Sequence, residues 1–168
     1  ESGASNAINY DGTRLIIGAN KIGEVDDYGV DGNSPTIAYQ LVNGDWAEMG
    51  GHLGFPGVPY AASNSGVSVA MTSSGDTVAV GASGYSGLVE VYDWDGSDWV
   101  KRPDVVREYS DGKYPKFGFA VALSDDGLVL AAGEHSVVTD FGADGIADPP
   151  LMYDYGQAHV LSYDPELQ

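Results

Sequence analysis

The stretch GVSVAMTSSGDTVAVGA, Gly66 to Ala82, holds two short apolar runs joined by a polar turn that ends in glycine. Two other stretches nearly copy it: GASNAINYDGTRLIIGA, Gly3 to Ala19, and GFAVALSDDGLVLAAGE, Gly118 to Glu134. Laid over one another, the copies keep three glycines in register. Gly3, Gly66 and Gly118 open them; Gly12, Gly75 and Gly127 close the turns; Gly18, Gly81 and Gly133 follow near the ends. Three glycines matched in three copies mark an internal repeat, and a repeat of this kind governs how the whole chain is read.

Between the first two glycines the pattern has period 2. Val67, Val69 and Met71 alternate with Ser68, Ala70 and Thr72, and Phe119, Val121 and Leu123 alternate with Ala120, Ala122 and Ser124. Such alternation places large side chains on one strand face and small ones on the other. The first copy is weaker, with Ala4, Asn6 and Ile8 on the large face, and Asn6 suits an edge or a subunit contact. Asp11, Ser74 and Asp126 precede the turn glycines, which is ordinary hairpin chemistry. The second runs, TRLIIGA, DTVAVGA and LVLAAGE, are continuously apolar, as in strands buried on both faces. A third strand follows each loop: TIAYQLV (Thr36 to Val42), LVEVYDW (Leu88 to Trp94) and QAHVLSY (Gln157 to Tyr163). Polar turns then lead to Trp46 and Trp99, which open a fourth strand in the first two copies; nothing comparable follows Tyr163.

The expected fold class is therefore all-β: three four-stranded antiparallel blade-like repeats, the last lacking its fourth strand. This is a partial β-propeller, or one completed between molecules. The chain reads as a single β-repeat domain over 1–168, with units at about 3–50, 66–106 and 118–163. The alternative is a plain sandwich of eleven strands. Three units are too few to close a ring, because propellers use about 4 to 8 blades. An open sheet edge invites pairing with another chain. The expectation is a homo-oligomer or a filament, or else a fragment of a longer propeller.

Composition narrows the function. With 25 acidic residues against 7 Lys and Arg, the formal net charge is −18. Such a chain repels phosphate backbones and anionic lipid surfaces, so nucleic acid is excluded as a partner. The charge suits solubility in salty or calcium-rich surroundings, or cation binding. There is no cysteine, hence no disulfide and no thiol chemistry. No apolar run approaches the ~20 residues of a membrane helix, so no membrane insertion is expected. The chain opens at Glu1 rather than Met, as in a processed chain or a piece of a longer one. An acidic, Lys-poor, Gly- and Tyr-rich chain points to an extracellular or cell-surface setting.

SVAMTSSGDTVAVGA followed by GLVEVYDWDGSDW, and the later FGFAVALSDDGLVLAAGEHS, resemble the FG-GAP-type repeats of integrin-α-like propellers. The resemblance covers Gly3 to Tyr163. The proline of the family's repeat is absent, with Asn20, Ser83 and His135 near its place. The resemblance implies calcium-supported, non-enzymatic recognition, adhesion or surface structure; as a motif it specifies fold more than function.

Two loops carry a further motif, Asp27-Tyr28-Gly29-Val30-Asp31-Gly32 and Asp140-Phe141-Gly142-Ala143-Asp144-Gly145. Calcium takes 6 to 8 oxygens, and loops with acids at alternate positions supply them. Asp140, Asp144 and Asp148 stand at positions 1, 5 and 9, and Ile146 could offer its carbonyl, but Gly142 occupies a position that usually carries an acid. In the first loop Asp27 and Asp31 remain, while Pro35 replaces the last acid. Both loops read either as weakened calcium sites, calcium being the one cofactor implied, or as acidic turns. Asp93, Asp95 and Asp98 in DWDGSD read as a plain hairpin turn.

No catalytic pattern appears. His52, His135 and His159 are dispersed without metal-ligand spacing, and no G-x-S-x-G elbow occurs. The expectation is a non-enzymatic structural or adhesion protein that self-assembles. The alternative is a calcium-dependent, lectin-like propeller, in which Trp94, Tyr92 and Tyr163 would stack on a glycan or another cell-surface ligand. Trp46 and Trp99, at repeated positions, are expected instead to lock the outer strand into the core.

Overall fold

A computed structural model describes residues 2–19, 36–54, 65–83, 87–103, 115–136 and 156–164. Among these, every regular element is a β-strand. Sheet 1 is a meander of β1 (Ser2–Ile8), β2 (Arg14–Ala19), β3 (Ile37–Val42) and β4 (Asp45–Glu48). Sheet 2 repeats it with β5 (Ser65–Met71), β6 (Thr77–Ala82), β7 (Leu88–Trp94) and β8 (Trp99–Lys101). Sheet 3 has β9 (Pro115–Leu123), β10 (Val129–Ser136) and β11 (Gln157–Ser162), with no fourth strand among the described residues. All pairings are antiparallel, and none of the three sheets closes on itself. Three sheets replace the two that a sandwich would need.

The in-register glycines have a backbone cause. Gly3, Gly66 and Gly118 have φ of 87°, 77° and 80°, a region closed to most side chains. Each sits in a bulge of the first strand, where pairing with the second strand skips. Gly12, Gly75 and Gly127 are likewise left-handed at the hairpin turns, with φ of 72°, 77° and 69°.

Sheet 2 lies between the other two. On one side β5 packs on β1 and β2; on the other, β9 packs on β5, β6 and β7. Two cores result. The first holds Ile16, Ala38, Met49 and Leu53 against Val69, Val78, Val80, Tyr92 and Trp99. The second holds Ala70, Ala79, Val89 and Val91 against Phe117, Leu130 and Ala132. Ala7, Gly18 and Ala38 of sheet 1, and Ala70, Ala79 and Gly81 of sheet 2, leave room for larger residues of the next sheet, so the layers come close together there.

Two sequence expectations need correction here. Continuous burial holds only for β6, in which every residue is buried; β2 mixes buried and half-buried positions. In β10, Leu130 and Ala132 are buried, while Val129 is exposed and Ala131 half-buried. The reason is position: among the described residues only sheet 2 has a neighbouring sheet on both faces. Phe119 does not join Val121 and Leu123 on the large face. The bulge at Gly118 offsets the alternation, so Phe119 is 50% exposed, 5.7 Å from the His135 ring, and Phe117 enters the core instead.

Candidate functional site

The loop acids Asp27, Asp31, Asp140, Asp144 and Asp148, together with Ile146, lie outside the described residues. Among the described residues no group of three or more His, Asp or Glu side chains is placed to hold a metal ion.

The DWDGSD hairpin is built from its own hydrogen bonds. Asp95 Oδ1 accepts from the Ser97 and Asp98 N–H groups, each at 2.8 Å, and from the Ser97 hydroxyl at 2.9 Å. Asp98 Oδ1 accepts from the Gly51 N–H at 2.8 Å and from its neighbour Trp99. These N–H donors hold both carboxyls below the usual carboxylate range, the Asp98 amide acting most on Asp95 and the Gly51 amide most on Asp98. Asp93 turns the other way. Arg102 grips it through Nε at 2.6 Å and Nη2 at 2.8 Å, and the Thr77 hydroxyl donates to it at 2.8 Å. Burial alone would raise the Asp93 carboxyl, but these donors outweigh it and lower it. Arg102 also donates to the Gly127 carbonyl at 2.6 Å and lies 4.2 Å from the Tyr163 ring centre, so it ties sheet 2 to sheet 3.

The three rings expected to meet a sugar do not form one surface. Tyr92 is buried in the first core. Its hydroxyl contacts the Glu90 carboxylate, lies 3.0 Å from the Gly54 carbonyl and accepts from the Gly54 N–H at 3.3 Å. Burial first, and Glu90 second, push that phenol well above its ordinary value. Lys101 closes the cluster with a 3.0 Å bond to Glu90. Trp94 packs against Trp99 with ring centres 5.3 Å apart, and Tyr163 lies under Arg102.

The most distinctive surfaces are sheet faces. In β2 the residues alternating with buried Ile16 are Leu15 and Ile17, and they pair with Ile8, Asn6, Tyr39 and Ile37 on the adjacent strands. With Leu41 and Trp46 they make an apolar outer face on sheet 1, where Ile8 is 60% and Trp46 45% exposed. The corresponding face of sheet 2 carries Val69, Val78, Val80 and Trp99, and sheet 1 covers it. Trp99 is only 9% exposed there and donates from Nε1 to the Met49 carbonyl at 2.7 Å. The opposite end is different. The outer face of sheet 3 is built of small residues, Ala120, Ala122, Ala131, Gly133 and Ala158, flanked by Val129 and by Val160 at 71% exposure. No sheet covers either outer face among the described residues.

Between sheets a repeated latch appears. The Ser5 hydroxyl donates to the Gly66 carbonyl at 2.8 Å, and the Ser68 hydroxyl to the Gly118 carbonyl at 2.7 Å. Beneath each latch a glycine makes room: a Cβ on Gly18 would overlap the Gly66 carbonyl, and one on Gly81 the Gly118 carbonyl. Sequence reasoning missed this latch. Its signal was a serine two residues after the opening glycine in the first two copies, with Ala120 in the third.

No family model matches the chain, and a comparison with curated proteins finds no match.

Proposed function

We propose that this chain is a non-enzymatic, extracellular structural or adhesion protein whose FG-GAP-like repeats form propeller-like blades and assemble with further copies. One observation carries the reading. Sheet 2 is covered on both sides, whereas sheets 1 and 3 each leave a blade-like apolar face open among the described residues. Exposed contiguous apolar faces on a folded chain mark interaction surfaces. Catalysis lacks support: the described acids of the DWDGSD hairpin and its neighbours are engaged with backbone amides and Arg102, as turn and tie residues would be. The sugar-binding alternative draws little support from its three rings, since each packs on a neighbour within the chain.

The test is multi-angle light scattering with electron microscopy on purified protein across micromolar to millimolar concentration. Self-assembly predicts a mass that rises with concentration, as rings or filaments. A constant mass of 17.6 kDa throughout, that of one chain, would remove the proposal.

A further inference from the structure

We infer that assembly is head to tail, with the outer face of sheet 1 in one copy seated on the outer face of sheet 3 in another. The contact would reproduce the one made twice inside the chain. This inference rests on the self-assembly reading and specifies its contact.

The partner is identified by the repeat itself. Inside the molecule a face with alanine and glycine at its key positions, alongside Ile16 in sheet 1 and Val89 and Val91 in sheet 2, receives a face of larger residues. Sheet 1 presents Ile16 and Ala38 to Val69, Val78 and Val80; sheet 2 presents Ala70 and Ala79 to Phe117 and Leu130. In repeat alignment, Ala120, Ala122, Ala131 and Gly133 of sheet 3 correspond to the receiving face of sheet 2. Asn6, Ile8, Leu15 and Ile17 correspond to Val69, Met71, Val78 and Val80, the inserting face. Among the described residues there is therefore one unfilled receiver and one unseated insert, and the surface that fits each is on a second copy.

The backbone key is preformed. Gly3 has the φ of 87° and the bulge that Gly66 and Gly118 use to present their carbonyls, and a Cβ there would meet nothing within 4 Å. Its lock is Gly133, in the place of Gly18 and Gly81. A Cβ at Gly133 would meet nothing nearer than the Ala120 Cβ, at 3.4 Å, because among the described residues no carbonyl from another sheet lies over it. Two reinforcements present inside the chain are missing from this third contact. Ala120 replaces the latching serine. The Arg14–Asp76 ion pair that joins sheets 1 and 2 would become Val129 facing Thr13. The contact is thus the weakest of its kind, held by apolar packing. Because it is heterologous, it propagates as a filament or closes as a ring.

The test uses four full-length proteins in sedimentation velocity: the unaltered chain, Gly133→Ala, Ala120→Ser and Ile8→Asp. Gly133→Ala fits the single molecule, since its new methyl makes only ordinary contact, but it meets the incoming Gly3 carbonyl. It should melt like the unaltered chain and lose self-association by more than about tenfold. Ala120→Ser restores the hydroxyl and should tighten association by roughly 2- to 10-fold. Ile8→Asp blocks the inserting face alone. Neither Gly133→Ala nor Ile8→Asp should assemble by itself, yet mixed they should form dimers that grow no further, since each keeps one good face. If the unaltered chain assembles and Gly133→Ala assembles equally well, this contact is wrong while self-assembly stands. If the unaltered chain stays monomeric to millimolar concentration, both readings fail, and the faces belong to other segments or partners.

Discussion

At the residue scale, the glycines do two distinct jobs. Gly66 and Gly118 supply a left-handed bulge, whereas Gly81 supplies space beneath the Gly118 carbonyl. Gly81→Ala must push sheets 2 and 3 apart and should cost about 1–3 kcal/mol in urea unfolding, the usual scale of overpacking. The same change at Gly133 should cost almost nothing in dilute solution, although the two positions are equivalent in the repeat. Equal losses at both would refute the close approach as the cause. Asp93 provides a second residue-level prediction. Its carboxyl is lowered in the folded protein, so the stability it contributes is present above the unfolded value of 3.8 and is lost as pH falls through the folded value. Asp93→Asn should therefore be less stable than the unaltered chain at pH 6, and the gap should narrow steadily toward pH 2.5. Guanidinium melts across that range read the gap directly, and a constant difference would contradict the Arg102 pairing.

At the element scale, equivalent strands meet different fates. Trp46, second in β4, lies opposite Leu41, and Trp99, first in β8, lies opposite Trp94. The local chemistry is alike, yet one ring lies half in water and the other fills the first core. The expectation that both lock the outer strand into the core holds for Trp99 alone. Trp99→Ala should cost about 3–5 kcal/mol, as for large aromatic truncations in cores. Trp46→Ala in dilute solution should cost about 0.5 kcal/mol, as at most surface positions. Thermal melts of the two variants side by side give the comparison, and similar losses would mean that the outer face of sheet 1 is covered in the isolated molecule. Arg102 works at this scale too, since one guanidinium joins β8's end to Asp93 in β7 and to the turn carbonyl of Gly127.

At the scale of the whole molecule, charge opposes what the apolar faces favour. Copies with a net charge of −18 repel one another. The screening length falls from about 30 Å at 0.01 M salt to about 10 Å at 0.1 M. Assembly should therefore strengthen as sodium chloride rises across that range, read as a larger sedimenting mass at fixed protein concentration. Weakening over the same range would argue that ion pairs, not apolar faces, hold the copies together. Chelators add a separate measurement: the loops bearing Asp27, Asp31, Asp140, Asp144 and Asp148 make calcium a candidate for stabilising each copy, and heat released on calcium titration would reveal it.

The strands, their turns and the threefold repeat were legible from residue order, because alternation and left-handed glycines are local properties that each segment carries by itself. Residues such as Val69, Met71, Val121 and Leu123 could be assigned to a face by the same logic. What covers each face could not. Trp46 and Trp99 differ in burial because of which sheet lies above them, and Phe117 displaces Phe119 from the core because a bulge resets the alternation. The Ser5 and Ser68 latches, the Arg14–Asp76 pair and the cluster of Tyr92 with Gly54 and Glu90 join residues far apart in the chain. Such pairings depend on how one sheet stacks on the next, and stacking is settled by packing between surfaces that no single segment contains.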